Sequence, residues 1–301
     1  MRTFTWRVLV VSGFLLIAGA LCSHSEANPI RPSSRSLRIG VINTLAPGVP
    51  TSLLSLAMRP FRSYMDEQTG AGGEIVRGGD ALALARSLQE GSVQIAIFHG
   101  HEFAWAQQQV STLEPLVLCV NALRSVRAYV VVSHTATVKT LDDLRGNTVS
   151  LPRDAREHCR LFFERSCVPA GTTSTSFYRK IQRPAEGSDA LEEVASGKAQ
   201  IAIVDAITFE KYRQERPTRA RLVQVVFQSD PFPPGVIAYD RKCLSADEVT
   251  RLRTALVQAH QSPRGRQSLQ VLKLAGFEVA PAEFSQQLET IRTAYPMVPG
   301  R

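Results

Sequence analysis

The sequence predicts an α/β fold built as two related lobes. Three observations predict it. Short β-rich runs alternate with helical stripes along most of the chain. The order helix, glycine, strand, polar residue occurs twice, over 80–99 and over 185–205. Hydrophobic residues make up 44% of the 301 positions, enough for one large core or two smaller ones.

The N-terminus reads as an export signal. Arg2 and Arg7 precede a nearly apolar stretch, 8–21, that is too short to span a bilayer comfortably. Ser25-Glu26-Ala27 puts small residues where a signal peptidase reads. Residues 1–27 are therefore expected to be removed, releasing the mature chain into the periplasm. A lipidated Cys22 and an uncleaved anchor are the alternatives. No later stretch is long and apolar enough to cross a membrane.

A polar tail, 28–36, leads to the first strand, 37–42, and to a loop with two prolines, 43–50. Thr51 or Ser52 can cap the next helix, whose stripe is Leu53, Leu56, Ala57, Phe61 and Tyr64 or Met65, stopping at Gly70. A short strand at 74–76, a helix at 80–90 stopped by Gly91, and a strand at 93–98 follow. His99 and His101 lie at the end of that strand, where ligands bind in open α/β sheets. Strands are expected at 113–121 and 128–133, a short helix at 140–144, a strand from 148 and a helix over 154–165. The second echo runs from a helix at 185–196 through Gly197 to a strand at 201–204 and Asp205. After a strand at 222–227, Asp230-Pro231-Phe232-Pro233-Pro234-Gly235 makes a rigid turn into the strand 236–239. A capping box at Ser245 and Glu248 opens a helix to about 261, and helices at 268–275 and 282–294 finish the chain.

Lys plus Arg total 35 and Asp plus Glu total 27, a net +8, with 29 Arg to 6 Lys. The charge is spread along the chain, so it permits an anionic ligand without forming a nucleic-acid patch. Near-average proline and glycine exclude a disordered chain. There is no Gly-x-Ser-x-Gly elbow, His-Glu-x-x-His pair, Walker loop or dinucleotide fingerprint. Neighbours such as His158 and Cys159 do not face each other on a helix. An enzyme is not expected, and neither is a cofactor.

Several segments carry a resemblance: Tyr64-Met65-Asp66-Glu67-Gln68-Thr69-Gly70, the stretch 88–98, Leu141-Asp142-Asp143-Leu144-Arg145-Gly146, Gly197 through Asp205, and 229–234. In this order and spacing the chain, over 37–288, resembles the phosphonate-binding family of ABC transporter receptors, which are type 2 periplasmic binding proteins. The resemblance implies two α/β lobes with mixed sheets flanked by helices and a ligand cleft between them. Lobe 1 would be 37–123 plus 222–295 and lobe 2 127–215, with hinges near 124–127 and 216–221. Closure over the ligand would follow. It further implies a small anionic solute, an oxyanion or organic anion, handed to a membrane transporter permease. The alternative partner is a sensor histidine kinase, signalled to on binding an oxyanion such as arsenite.

The chain departs from that family at 152–159. A hydroxyl-rich loop is replaced by Pro152-Arg153-Asp154-Ala155-Arg156-Glu157-His158-Cys159, so Arg153 or Arg156 would supply paired N–H donors instead. Asn43 and Thr44, after the first strand, are expected to line the cleft. Phe98 matches an aromatic ligand-contact position, with core packing as its alternative. Asp205 matches a family binding residue. His99, His101, His158 and Cys159 would form a soft-ligand site if the lobes bring them together. The simpler account of Cys159 is a disulfide to Cys167, close in sequence and in an oxidising compartment.

Overall fold

Two mixed β-sheets, each flanked by helices, organise the chain. The computed structural model describes residues 37–70, 73–121 and 126–297. The expected export signal, Cys22, and residues 124 and 125 of the first expected hinge lie outside them.

The first stretch contains β1 (Leu37–Val41), α1 (Thr51–Ala57), α2 (Arg59–Thr69), β2 (Gly73–Arg77), α3 (Ala81–Gln89), β3 (Ile95–Phe98), α4 (Gly100–Gln109) and β4 (Leu113–Val120). The middle stretch contains β5 (Ala128–Ser133), β6 (Thr148–Ser150), α5 (Glu157–Ser166), α6 (Ser174–Phe177), β7 (Lys180–Gln182), α7 (Gly187–Ala195), β8 (Ile201–Asp205), α8 (Ala206–Glu215), α9 (Pro217–Ala220) and β9 (Val223–Gln228). The last contains β10 (Gly235–Asp240), α10 (Ala246–Val257), α11 (Pro263–Val271), β11 (Gly276–Glu278) and α12 (Phe284–Ala294).

The first sheet has the order β11-β4-β10-β3-β1-β2, with β1 parallel to β2 and β3, and β10 antiparallel to β3 and β4. The second has the order β7-β6-β8-β5-β9, with β6 parallel to β7 and β8, and β5 antiparallel to β8 and β9. The sequence echo has a backbone cause. Gly91 and Gly197 follow α3 and α7 with φ of +69° and +76°, the left-handed turn that ends a helix and that glycine adopts without a Cβ clash. Each turn feeds a buried strand, β3 or β8, and each strand ends at a polar residue that starts the next helix, His99 for α4 and Asp205 for α8.

The structure differs from the sequence reading in several places. The single helix expected before Gly70 is two, α1 and α2, because Pro60 sits at the start of α2 and lacks the N–H that a continuous helix needs. Strand β9 pairs with β5 in the second sheet, although the chain from 222 on was expected with the first lobe. Helices α4 and α8 follow His99 and Asp205 directly, where only polar loops were expected.

The disulfide expectation is overturned: none joins Cys119, Cys159, Cys167 or Cys243. Cys159 lies in the first turn of α5 and Cys167 is the residue after its end. Eight residues of helix separate them by roughly 12 Å along the axis, about twice what a disulfide spans. Both are buried, as is Cys119. Burial pushes the Cys119 thiol up to about 12 and the Cys159 thiol well above its ordinary value.

Iodoacetamide followed by mass spectrometry should therefore leave Cys119, Cys159 and Cys167 unlabelled in the native protein. All three should label in denaturant with no reductant present. A need for reductant before Cys159 and Cys167 react would contradict this arrangement.

Candidate functional site

Parallel strands β1 and β3 deliver their C-terminal ends side by side. A single turn of 3-10 helix, Asn43–Leu45, follows β1, and α4 follows β3, so Thr44, His99, His101 and Glu102 gather at one sheet edge. The Thr44 hydroxyl lies 2.8 Å from both carboxyl oxygens of buried Glu102. One hydroxyl hydrogen serves one of those contacts best. A protonated carboxyl completes the other by donating back to Oγ1. Burial pushes Glu102 up to about 8, outweighing the Thr44 hydrogen bond, and the Glu157 charge adds to the rise. At neutral pH Glu102 is a neutral acid.

The second sheet contributes Asp205, Arg156 and His158. Asp205 caps α8, accepting from the Thr208 N–H at 3.1 Å and the Thr208 hydroxyl at 2.6 Å. Arg156 starts α5, and its Nε is 3.7 Å from Asp205 Oδ2. His158, in the first turn of α5, is only 6% exposed. Neither α4 nor α5 receives a side-chain cap from its N-terminal flanking residue.

The chain returning from β9 to β10 joins the two groups. The Phe232 N–H donates to the Val126 carbonyl at 2.7 Å, forming an isolated bridge. The Phe232 ring centroid lies 5.8 Å from His101, 5.5 Å from His158 and 4.8 Å from Tyr295. His101 also stacks on His99 at 5.7 Å and meets Trp105 edge-on at 5.1 Å. A Cβ at Gly100 would meet the Pro233 and Pro234 carbonyl oxygens at 2.3 and 2.4 Å, so only glycine lets the return segment lie on the start of α4. Arg127 Nη1 donates to the Ser229 carbonyl at 2.7 Å and holds the other end of that segment.

Burial keeps the imidazoles neutral. It lowers His99 to about 4, against a hydrogen bond to the Thr44 backbone that works the other way. It lowers His158 to about 4 despite the Asp205 charge, with Arg156 pushing in the same direction as burial. His101 is held well below its ordinary value, first by burial and then by the neighbouring histidines. The Nε2 atoms of His99 and His158 are buried and have no hydrogen-bond partner among the described residues.

Of the residues singled out by sequence, Thr44, His99, His101, Arg156, His158 and Asp205 come together. Asn43 and Arg153 are engaged elsewhere: Asn43 Oδ1 accepts from Arg77, which braces the loop through the Ala46 and Val49 carbonyls, and exposed Arg153 donates to the Arg183 carbonyl at 3.1 Å. Phe98 is fully buried against Phe103 in the core. Cys159 is buried in the same hydrophobic cluster. Among the described residues no group of three or more His, Cys, Asp and Glu is arranged to hold a metal ion. Sequence reasoning gave no role to Glu102 or Phe232. The signal for Phe232 was Pro233: a residue before proline is pushed to extended backbone, the conformation a bridge needs.

Residues 44–283 match the model of a family described as ABC transporter, phosphonate, periplasmic substrate-binding protein. A comparison with curated proteins finds no match. Among solved structures, XAC2383 from Xanthomonas citri, bound to ATP, is 19% identical with a TM-score of 0.62, covering 87% of this chain and 97% of that one. PhnD1 from Prochlorococcus marinus, in complex with methylphosphonate, is 12% identical with a TM-score of 0.55, over 86% of this chain and 98% of that one. A binding protein component of an ABC phosphonate transporter from Pseudomonas aeruginosa is 16% identical with a TM-score of 0.54, over 86% of each chain.

The neutral histidines set a pH dependence. The unfolded chain protonates all three rings below about 6.5, whereas folded His99 and His158 resist until about 4. Their stability contribution is complete above about 6.5 and is lost as pH falls towards 4. Glu102 runs oppositely: its contribution is present below its ordinary value of 4.5 and is lost as pH rises to about 8. Three rings outweigh one carboxyl, so stability should fall by about 1–3 kcal/mol per pH unit between pH 6 and 5. Urea midpoints at those two pH values test this, and an unchanged or higher midpoint at pH 5 contradicts it. Glu102→Gln should raise the midpoint at pH 9 relative to wild type and leave it nearly unchanged at pH 5.

Proposed function

Because the chain belongs to the phosphonate-type family of periplasmic substrate-binding proteins of ABC transporters, a family of solute receptors and not of enzymes, we propose that it is a periplasmic receptor for a small oxyanion or organic anion. Export through the cleavable signal, 1–27, is part of this reading. The solute lies between two lobes, one on each sheet, and the return passage between them is 229–234. The observation that carries the reading is the convergence of unsatisfied polar groups from both sheets. The starts of α4 and α5, neither capped by the side chain of its flanking residue, lie on the two sides, with the unpartnered Nε2 atoms of His99 and His158 and the Arg156 guanidinium. Helix starts favour anions, and buried polar atoms demand partners. The Asp205 carboxylate is occupied by α8 and Arg156, so it orients the guanidinium while the solute takes the remaining N–H donors.

Delivery to a transporter permease fits the family match. Signalling to a sensor histidine kinase through a cysteine-bound oxyanion fits less well, because Cys159 is buried and its thiol is held protonated.

Thermal melts of the chain from Asn28 onward, with phosphonates, phosphite, sulfonates and dicarboxylates, test the proposal. One class should raise the melting temperature by about 5–10 °C at a hundredfold excess over its dissociation constant. Arg156→Gln should weaken that binding about tenfold or more and change the unliganded melt by about 1 °C or less, since its ion pair is half exposed. No shift with any anion, or a shift indifferent to Arg156→Gln, rejects the proposal.

A further inference from the structure

The unpartnered imidazole atoms have a definite polarity. The His99 ring hydrogen-bonds to the Thr44 backbone and the His158 ring to the Arg127 backbone, each in the sense that favours the protonated ring. In both rings the nitrogen so engaged is Nδ1, because Nε2 has no partner. A ring hydrogen bond of that sense donates to a carbonyl, so Nδ1 carries the hydrogen. A neutral imidazole holds one N–H and one lone pair, and with Nδ1 spent on a carbonyl its Nε2 is an acceptor. The site therefore holds two buried lone pairs without partners among the described residues, one at the start of α4 in the first sheet's half and one in the first turn of α5 in the second's.

Resting on the receptor reading above, we propose that the solute is a protonated oxyacid, one that presents an acid O–H to one of the Nε2 atoms of His99 and His158 and so leaves at most one imidazole lone pair unmatched. Its remaining oxygens accept from Arg156 and the start of α5. A fully ionised group, or a sulfonate, would set its oxygen lone pairs against the two imidazole lone pairs. A metal cation would satisfy the lone pairs, but Arg156 lies close enough to disfavour positive charge on both rings, and among the described residues no third ligand joins them. The neutral Glu102 acid beside Thr44 adds no charge that would attract a cation.

Calorimetric titration at pH 7 with three probes of similar size tests this. Methylphosphonate can carry an acid O–H. Its monomethyl ester and methanesulfonate are monoanions that carry none. Methylphosphonate should bind at least tenfold more tightly than either. His158→Gln, whose carboxamide offers N–H as well as C=O, should shrink that ratio towards one. The wild-type ratio stands alone should that variant fail to fold. Equal binding of the ester or the sulfonate overturns the donor requirement and leaves the anion receptor intact. Binding of none of the three, with no anion shifting the melt, overturns the receptor reading and this inference with it.

Discussion

One aromatic side chain holds the two halves of the site in register. Phe232 contacts His101 of α4, His158 of α5 and Tyr295 beyond α12, while its backbone bridges to Val126. Tyr295 in turn accepts from Trp105 through its carbonyl and from Ser166 through its hydroxyl, so the first and second sheets' helices are tied through the same point. Removing such a buried aromatic typically costs about 3–5 kcal/mol. Here the loss would also unseat the histidines, since the same ring walls two of them from water. Gly100 belongs to this arrangement: the return segment can reach its seat only because α4 begins without a side chain.

The chemistry of the site follows from that packing. Phe232, Trp105 and the neighbouring rings exclude water, which keeps three imidazoles and one carboxyl uncharged at neutral pH. Arg156, an exposed cation of the site, pairs with Asp205 at 3.7 Å. In the proposed receptor, recognition then rests on hydrogen-bond polarity more than on net charge. That explains why the protein's overall +8, spread over its surface, says little about this cleft. The Pro152-to-Cys159 segment contributes a buried ring, His158, and a guanidinium, Arg156, to the site.

The alternation of strands and helices was legible because most strands are short buried runs and α2, α3 and α7 end at left-handed glycines, both of which sequence records directly. The places of Thr44, His99 and Asp205 at or just beyond strand ends were legible for the same reason: strand ends are marked by the change from apolar to polar residues. Four features were not. The break between α1 and α2 was hidden by a continuous apolar stripe that outweighed Pro60 in the periodicity. The pairing of β9 with β5 depends on where the chain crosses between sheets, which a strand's own residues do not encode. The spacing of Cys159 and Cys167 permits a loop staple or the two ends of a helix, and α5 decides between them. The role of Phe232 depends on what the fold brings to it from residues 101, 158 and 295.

The most direct measurement is nitrogen-15 nuclear magnetic resonance of the histidine rings in the unliganded protein, with long-range proton couplings to assign each tautomer. His99 and His158 should show Nδ1 protonated and Nε2 bare, with no change from about pH 5.5 to 8, because burial holds both near 4. Protonated Nε2 atoms, or rings that titrate near their ordinary value of about 6.5, would contradict the account of a site built from buried imidazole acceptors.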